Sequence, residues 1–247
     1  MQQYFVKGLA SSPITIEDKE TSKHMFQVMR VKEEDEVTLV FDDGIKRLAR
    51  VVNVESRQLE LVEELDDNVE LPVQVTIASG FPKGDKLEFI TQKVTELGAS
   101  HIWAFPADWS VAKWDGKKLG KKVEKLEKIA LGAAEQSKRN LVPSISLFEK
   151  KADFLAQFDQ FDQIVVAYEE SAKEGEAAAL LQSLTGLEAG SKLLFIFGPE
   201  GGLSPAEIES FTAKGAVLAG LGPRILRAET APLYALSAVS VVTELMN

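Results

Sequence analysis

The sequence predicts an α/β protein in which a parallel β-sheet is covered by helices on both faces and is preceded by a small β-barrel. Residues 1–70 contain short valine- and leucine-rich runs separated by turn residues, a pattern typical of a barrel. From residue 73 onward, strand-like apolar runs alternate with helix-like runs, and this alternation indicates a parallel sheet. The acidic stretch "EELDDNVELP" at 63–72 marks the change of pattern. We therefore predict one domain over residues 1–70 and a second over residues 73–247.

The predicted barrel has strands at "VTLVF" (37–41), "IKRLARVVNV" (45–54) and "QLELV" (58–62). A turn at Asp42-Asp43-Gly44 joins the first two of these strands. One helix is predicted at "TSKHMFQVMR", because Met25, Val28 and Met29 fall at helical spacing.

The predicted sheet of the second domain has strands at "VQVTIAS", "HIWAF", "QIVVAY", "KLLFIF" and "AVLAGL". The helix-like runs between and after them are "DKLEFITQKVTEL", "KKVEKLEKIALGAAEQ", "EAAALLQSL", "PAEIESFTAKG" and "APLYALSAVSVVTELM". In parallel sheets of this kind, ligands bind at the carboxyl ends of the strands. The loops after the strands are therefore where a site is expected.

The amino-acid composition limits the kinds of functional site that the chain can contain. The chain has no cysteine, which excludes disulfides and thiolate nucleophiles, and only two histidines, His24 and His101, which argues against a metal site. It contains no run of about 18 apolar residues and no signal-peptide pattern, so we predict a cytoplasmic protein with no membrane partner. The net charge of −10 argues against nucleic acid, yet residues 81–140 carry 12 basic and 8 acidic side chains. A basic region therefore lies in the middle of an acidic chain.

A glycine-rich turn follows the strand-like run "KLLFIF" in "FGPEGGLSPAEIE" (197–209). Ser204, Pro205 and Glu207 have the pattern of a helix capping box, so a helix is expected to begin there. Glycine has no Cβ, so a ligand can approach this backbone closely. The turn lacks the lysine of a phosphate-binding loop and Glu200 would repel a triphosphate, so a neutral or cationic ligand fits better. A tight strand-to-helix turn without a ligand explains the same glycines, and that alternative stays open.

A second loop, "LGPRILRAETAPLYAL" (221–236), follows the strand-like run "AVLAGL" and contains Arg224, Arg227 and Glu229. Arginines in this position are often surface salt-bridge partners. However, both loops follow strands of one predicted sheet, so both are expected to open on the same edge. This proximity favours a functional role.

The two loops resemble the paired signature loops of the RsmE family, the SPOUT-class methyltransferases that modify N3 of a uridine in 16S ribosomal RNA (rRNA) of the small subunit. Three further blocks resemble the same family in the same order: "HMFQVMR" (24–30), "KGDKLEFITQKVTELG" (83–98) and "AAEQSKR" (133–139). The resemblance therefore rests on five blocks and covers most of the chain.

The resemblance implies a PUA-like β-barrel over residues 1–70 and a SPOUT domain with a trefoil knot over residues 73–247. It also implies S-adenosyl-L-methionine as methyl donor, a homodimer, no metal, and 16S rRNA or the small ribosomal subunit as partner. Periodicity alone would have given an unknotted sheet. The cofactor-binding residues implied by the resemblance are Ala167, Tyr168, Glu169, Phe197, Gly198, Pro199, Glu200, Gly201, Leu221, Gly222, Ile225, Leu226 and Arg227.

The chemistry of uridine suggests which residues catalyse its methylation. N3 carries a proton at neutral pH, and as that proton leaves, negative charge spreads onto the two flanking carbonyl oxygens. Arg227 and Arg224 are candidates for stabilising this charge. Glu229 is a candidate either for accepting the proton or for orienting an arginine, with the structural role slightly favoured.

The basic region supplies a candidate RNA-binding surface. In the helix-like run near 117–136 the lysines lie largely off the apolar face, although a solvated lysine face balanced by Glu124 and Glu127 would give the same pattern. The predicted RNA-binding residues are Arg30, Lys83, Lys86, Lys93, Lys118, Lys121, Lys122, Lys138 and Arg139.

The chain departs from the residues usual in the RsmE family at four positions. Gln2, Gln3 and Trp109 stand where arginine is usual, and Gly132 stands where glutamate is usual. A catalytically silent RNA-binding or ribosome-assembly protein of the same fold is therefore the alternative to an active uridine-N3 methyltransferase. Ribose 2′-O methylation is disfavoured by "RILRAETA", which resembles the base-modifying family.

Overall fold

The structure is a computed structural model that describes residues 1–168 and 177–246. The chain divides into two compact units. One contains Met1–Glu70 together with Ala134–Leu141, and the other contains Leu71–Ala133 together with Val142–Asn247. The division after Glu70 falls inside the acidic stretch at 63–72. The pattern of the sequence gave no indication that residues 134–141 would pack with the first unit.

The first unit contains a five-stranded sheet of order β1-β3-β4-β5-β2. Its strands are β1 (Gln3–Phe5), β2 (Ile14–Thr15), β3 (Glu36–Val40), β4 (Lys46–Asn53) and β5 (Gln58–Leu65). β1 pairs with β3 in parallel, and the other pairs are antiparallel. β1 and β2 are the two edges of the sheet, so the sheet is open. Its curl fits a half-barrel. Alternate residues of the strands, such as Val37 and Leu39, face its apolar core.

The predicted helix at 21–30 differs from the observed one. A short helix, α1 (Lys19–Ser22), continues directly into a π-helical segment, Lys23–Val28. Met25 is fully buried, whereas Val28 and Met29 are exposed. The amide of Met29 bonds to the carbonyl oxygen of His24, five residues earlier, so the turn is wider than an α-helical turn. Residues at α-helical spacing therefore do not share one face here.

The second unit contains a six-stranded sheet of order β11-β9-β10-β6-β7-β8, in which every described pair is parallel. The predicted parallel sheet is thus confirmed. The strands are β6 (Gln74–Gly80), β7 (His101–Phe105), β8 (Ser144–Leu147), β9 (Gln163–Ala167), β10 (Lys192–Phe197) and β11 (Val217–Ala219). The helices are α2 (Lys86–Glu96), α3 (Gly116–Gln136), α4 (Lys151–Leu155), α5 (Ala177–Thr185), α6 (Pro205–Thr212) and α7 (Ala231–Ser240), with a 3-10 turn at Phe158–Gln160 and a π-helical segment at Val241–Leu245.

Helices cover both faces of this sheet, as β10 illustrates. Leu193, Phe195 and Phe197 belong to the apolar cluster that includes residues of α2, α5 and α7. Leu194 and Ile196, which alternate with them, belong to the cluster on the other face with residues of α4 and α6. A strand buried on both faces reads as a continuous apolar run, which is why "KLLFIF" could be predicted. β8 and α4 were not predicted, because each is too short to show a period.

Over residues 1–168 and 177–246, no helix is both long enough and apolar enough to cross a bilayer. Within the same ranges, no group of three or more histidine, cysteine, aspartate or glutamate side chains has the arrangement of a metal site.

Candidate active site

A cavity of about 750 Å³ lies at the carboxyl ends of β9 and β10. Its lining comes mainly from the glycine loop, defined here as residues 198–202, and the arginine loop, residues 221–229. Of the cofactor-binding residues expected from the sequence, those that line this cavity are Ala167, Tyr168, Phe197, Gly198, Pro199, Glu200, Gly201, Ile225, Leu226 and Arg227. The structure therefore brings together two loops that are about twenty residues apart in sequence.

The glycine loop leaves no room for a side chain at Gly198. A Cβ atom at Gly198 would lie 2.7 Å from the carbonyl carbon of Gly202. The amide of Gly202 donates a 2.8 Å hydrogen bond to the carbonyl oxygen of Pro199, and Gly202 itself has a positive φ of +79°. Gly80, at the end of β6, makes room for the loop in the same way, because a Cβ there would lie 2.5 Å from Cδ of Pro199. The loop is thus fixed by contacts within the backbone.

The capping box at the start of α6 is confirmed and anchors the end of the glycine loop. The backbone N–H of Ser204 donates to the Glu207 carboxylate at 2.9 Å, and the backbone N–H of Glu207 donates to the Ser204 hydroxyl at 3.2 Å. Glu207 is buried, and its charge is balanced by the Lys151 ammonium at 2.6 Å. The helix therefore begins at a fixed position next to the cavity.

The arginine loop has only part of its residues at the cavity. Arg227 lines it, with a side chain that is 84% exposed. Leu221 and Gly222 are not among the lining residues: Leu221 packs against the apolar core, and Gly222 has a positive φ of +88°. Arg224 is exposed and is also absent from the lining. Glu169, the remaining predicted cofactor residue, lies outside the described residues.

Lys86 was expected on the RNA-binding surface, but its side chain lies in the cavity. Its ammonium group is 3.0 Å from the carboxylate of Glu200 and 3.1 Å from that of Glu229. Hydrogen bonds to these two carboxylates raise the pKa of Lys86. Lys86 therefore joins the glycine loop to the arginine loop through one cation. No local pattern indicated this role, because it depends on which loops meet at the sheet edge.

The two carboxyl groups bound to Lys86 are held in their ionised form. Burial alone would raise the pKa of Glu200 and of Glu229, but each carboxylate also accepts a hydrogen bond from its own backbone N–H and pairs with Lys86. The balance lowers the pKa of both below the ordinary value. The N–H of Lys83 donates a further hydrogen bond to Glu200 at 3.1 Å. Near the cavity, the positive charges of Lys86 and Arg227 thus accompany two negative charges.

Sequence reasoning missed several lining residues as cofactor-side positions. They are Lys86, Trp109, Gly202, Leu203, Pro205, Ala228 and Ala231. Trp109 follows β7, whose neighbour β6 pairs with β10. Its place after a strand end was the one signal in the sequence that could have identified it.

The predicted RNA-binding residues lie in different environments. The prediction for Arg139 needs correction, because its side chain is buried. Arg139 is 2% exposed, and its guanidinium group bonds to the Glu70 carboxylate at 2.8 Å within the first unit. A cation buried in such a pair is not available to phosphate, so Arg139 has a structural role. Gln3 is buried beside it and donates to its carbonyl oxygen at 2.7 Å.

The remaining basic candidates are more accessible. Lys83, Lys118, Lys121 and Arg30 are exposed. Lys93 is paired with Glu96 at 2.8 Å, and Lys138 donates to the carbonyl oxygen of Met1 at 2.9 Å. Lys122 lies over the ring of Trp114, 4.3 Å from its centroid. Of these lysines, Lys83, Lys93, Lys118, Lys121 and Lys122 belong to the second unit, which also contains the cavity.

The fold and the site define the class as an RNA methyltransferase with an N-terminal PUA domain. Residues 69–240 match the family described as RNA methyltransferase domain, and residues 16–64 match the RNA methyltransferase PUA domain. The chain is 46% identical to ribosomal RNA small subunit methyltransferase E of Bacillus subtilis, with 100% of this chain and 99% of the relative covered. A protein of the same name from Mycobacterium bovis is 30% identical, with 93% and 87% covered. The chain therefore belongs to the ribosomal RNA small subunit methyltransferase E family, the family that the five sequence blocks indicated.

A solved structure supports the same assignment. The crystal structure of ribosomal RNA small subunit methyltransferase E from Neisseria gonorrhoeae bound to S-adenosyl methionine matches with a TM-score of 0.83 and 25% identity. The match covers 98% of each chain. The similarity thus extends over both compact units.

Proposed function

We propose that this protein transfers the methyl group of S-adenosyl-L-methionine to N3 of a specific uridine in 16S rRNA. The observation that carries the proposal is that residues 198–202 and 225–228 line one cavity at the carboxyl ends of β9 and β10. We further propose that the protein acts as a cytoplasmic homodimer and that its second domain contains the trefoil knot implied by the family resemblance. The exposed apolar residues Val241, Leu245 and Met246 near the C-terminus support an interface between two copies.

The residues around the cavity suit S-adenosyl-L-methionine. Its volume of about 750 Å³ lies within the range of small-molecule sites. The bare backbone of the glycine loop gives close access to N–H and C=O groups, which can recognise an adenine, while Ile225 and Leu226 offer apolar walls. Because Lys86 is already paired with two carboxylates, the cavity carries no excess positive charge for a phosphate. A ligand with a sulfonium cation and an amino-acid end matches this balance.

The protein's part in the reaction is to bind the uracil and stabilise its charge. When bound, S-adenosyl-L-methionine supplies an electrophilic methyl group on a sulfonium. Arg227, at the cavity and largely exposed, can turn towards a uracil carbonyl oxygen and stabilise the anion that forms as N3 loses its proton. Arg224, outside the lining, is assigned to the RNA backbone or to a second contact with the same anion. These donors act only on the charge that develops during the reaction.

Glu229 has a positioning role in this proposal. Its carboxylate is paired with Lys86 at 3.1 Å and lies 4.0 Å from the Arg227 guanidinium. Its lowered pKa makes it a poor proton acceptor and a good partner for an arginine. Lys86 therefore fixes the Glu229 carboxylate beside the cavity, where its negative charge attracts the exposed Arg227 guanidinium. The proton of N3 passes to solvent or to another acceptor.

The RNA is proposed to contact the exposed lysines of the second unit, with Arg30 as a contact from the first. Lys83, Lys118 and Lys121 are exposed, and they stand in the basic region of an otherwise acidic chain. Such cations position the phosphate backbone, while the cavity takes one base out of the strand.

Mass spectrometry of 16S rRNA tests the proposed function. Small ribosomal subunits from cells that lack this protein are incubated with the pure protein and S-adenosyl-L-methionine carrying a CD₃ group. We expect the CD₃ label at a single position of the 16S rRNA, on N3 of a uridine. A label on ribose or on another base would contradict the proposal. No label, with retained binding of the subunit, would favour the catalytically silent RNA-binding alternative.

A further inference from the structure

The three tryptophans of the chain have different environments. Trp103 is buried and packs edge-to-face against Phe148 and Phe161. Trp114 packs against Phe81 with ring centroids 4.4 Å apart. Trp109 is 49% exposed, and among the described residues it belongs to no apolar cluster and makes no ring–ring contact. A solvent-exposed indole in the lining of a cavity is a candidate ligand contact, because covering its apolar surface is energetically favourable.

The loop that carries Trp109 is fixed on both sides of the tryptophan. The backbone N–H of Asp108 donates to the buried Glu207 carboxylate at 3.0 Å, and the Asp108 carboxylate accepts from the Ser204 hydroxyl. The Lys151 ammonium lies between Asp108 and Glu207. On the other side, the N–H of Ser110 donates to the carbonyl oxygen of Ala107 at 3.0 Å. The exposed indole is therefore attached to an anchored backbone.

Trp109 also contacts the glycine loop directly. A Cβ atom at Gly201 would lie 3.0 Å from Cβ of Trp109 and 3.2 Å from its carbonyl oxygen. A Cβ at Gly202 would lie 4.0 Å from two carbons of the indole ring. The ring thus flanks the loop that lines the cavity, and it lies in the lining itself.

We propose that Trp109 stacks on the target uracil and holds it at the cavity during methyl transfer. The inference rests on the proposed function. Stacking suits the site because the indole offers a flat π-surface and leaves the carbonyl oxygens and N3 of the base free for Arg227 and the methyl group. The anchored backbone reduces the conformational entropy that the loop loses when the base binds. Trp109 is thus a substrate-positioning residue in the lining of the cavity, beside Gly201 of the glycine loop.

Variants at Trp109 and Trp114 test this inference. Trp109→Ala keeps the Cβ that lies beside Gly201, so the packing next to the glycine loop is retained while the ring is lost. We expect its kcat/KM for methyl transfer to small ribosomal subunits lacking the modification to fall roughly 10- to 100-fold. The dissociation constant of S-adenosylhomocysteine, measured by titration calorimetry, is expected to stay within about twofold. Trp109→Phe, which retains a stacking ring, is expected to recover most of the activity, and Trp114→Phe serves as the matched control.

Tryptophan fluorescence of the same proteins measures whether RNA contacts Trp109. Binding of the subunit RNA is expected to quench the emission of the wild type and of Trp114→Phe, and to quench Trp109→Phe much less. Three results would overturn the inference: unchanged kcat/KM in Trp109→Ala, an equal loss of S-adenosylhomocysteine affinity, or conversion to a monomer in size-exclusion chromatography. If the wild type itself transfers no methyl group, the proposed function fails. If the wild type is active and Trp109→Ala is equally active, only the role of Trp109 fails.

Discussion

The two loops that line the cavity are built in opposite ways. The glycine loop is held by its own backbone, since a Cβ at Gly198 would collide with Gly202 at 2.7 Å and the next residues enter a capping box. The arginine loop exposes two of its cavity side chains, with Ile225 78% and Arg227 84% exposed. Lys86 is the cation that joins them. The difference indicates a division of work, in which the first loop gives the cavity its shape and the second contributes the groups that respond to the substrate.

Arg227→Ala is expected to have the largest effect, and it tests the proposed catalytic role of the arginine loop. We expect kcat for methyl transfer to fall at least about 100-fold, as for the loss of one donor to a developing negative charge. S-adenosylhomocysteine affinity is expected to change by less than about threefold, because the side chain is exposed. Single-turnover transfer and calorimetry measure the two quantities. Arg224→Ala is the matched control, with a smaller loss expected because Arg224 does not line the cavity.

Gly198→Ala tests the glycine loop. The added Cβ would lie 2.7 Å from backbone, which cannot move as a side-chain end can, so we expect the free energy of unfolding to drop by about 1–3 kcal/mol. Cofactor affinity is expected to fall at least about tenfold, because the loop must shift. Gly132→Ala is the matched control, because a Cβ there meets nothing within 4 Å. Its free energy of unfolding is expected to rise by about 0.5–1 kcal/mol, since alanine favours a helix more than glycine does. Denaturant titration of both variants makes the comparison, and equal stability changes would contradict the tight loop.

Lys86→Met tests the connection between the two loops. Without the ammonium, Glu200 and Glu229 are left as two carboxylates near one cavity, and the pKa of each is expected to rise. We expect methyl transfer to fall about tenfold, because the glycine loop and the arginine loop lose the cation that joins them. Lys86→Arg, which restores a cation, is expected to recover part of the rate. An active Lys86→Met protein with unchanged kcat and KM would show that the ion pairs are not needed.

The smallest expected effect belongs to Glu135, in the first unit, and involves neither loop. Burial raises the pKa of Glu135 to about 7 from its ordinary 4.5. A raised pKa means that the folded state keeps a proton that the unfolded state loses, so stability is full below pH 4.5 and falls as pH rises to about 7. Glu135→Gln is expected to remove this loss, by no more than about 1–2 kcal/mol at pH 8, because the carboxyl is only partly buried. Thermal unfolding at pH 5 and pH 8 measures the effect, and an unchanged pH dependence in the variant would contradict it.

The parts of the fold that follow local rules could be predicted from the sequence. The continuous apolar run of β10 and the Ser204–Glu207 capping box are local patterns, and both were found. The helix at 21–30 was predicted from the spacing of Met25, Val28 and Met29. A π-helical turn changes that spacing, so Val28 and Met29 are exposed while Met25 is buried.

The parts of the site that depend on distant pairing could not be predicted. Arg139 was predicted to be a basic surface residue. It is buried in a pair with Glu70, and a partner 69 positions away could not be identified from the local sequence. Lys86 and Trp109 reach the cavity because β6 pairs with β10 and β7 pairs with β6 in the sheet, and strand order is not a local property. Charge and composition identify candidates of this kind, whereas the fold decides which of them meet.

The most direct measurement of the division between the loops is a crystal structure of this chain with bound S-adenosylhomocysteine. This division predicts that the ligand contacts the backbone of residues 198–202 and the apolar side chains of Ile225 and Leu226, and that the Arg227 side chain does not contact the ligand. Ligand density outside this cavity, or a guanidinium group of Arg227 bonded to the ligand, would contradict it.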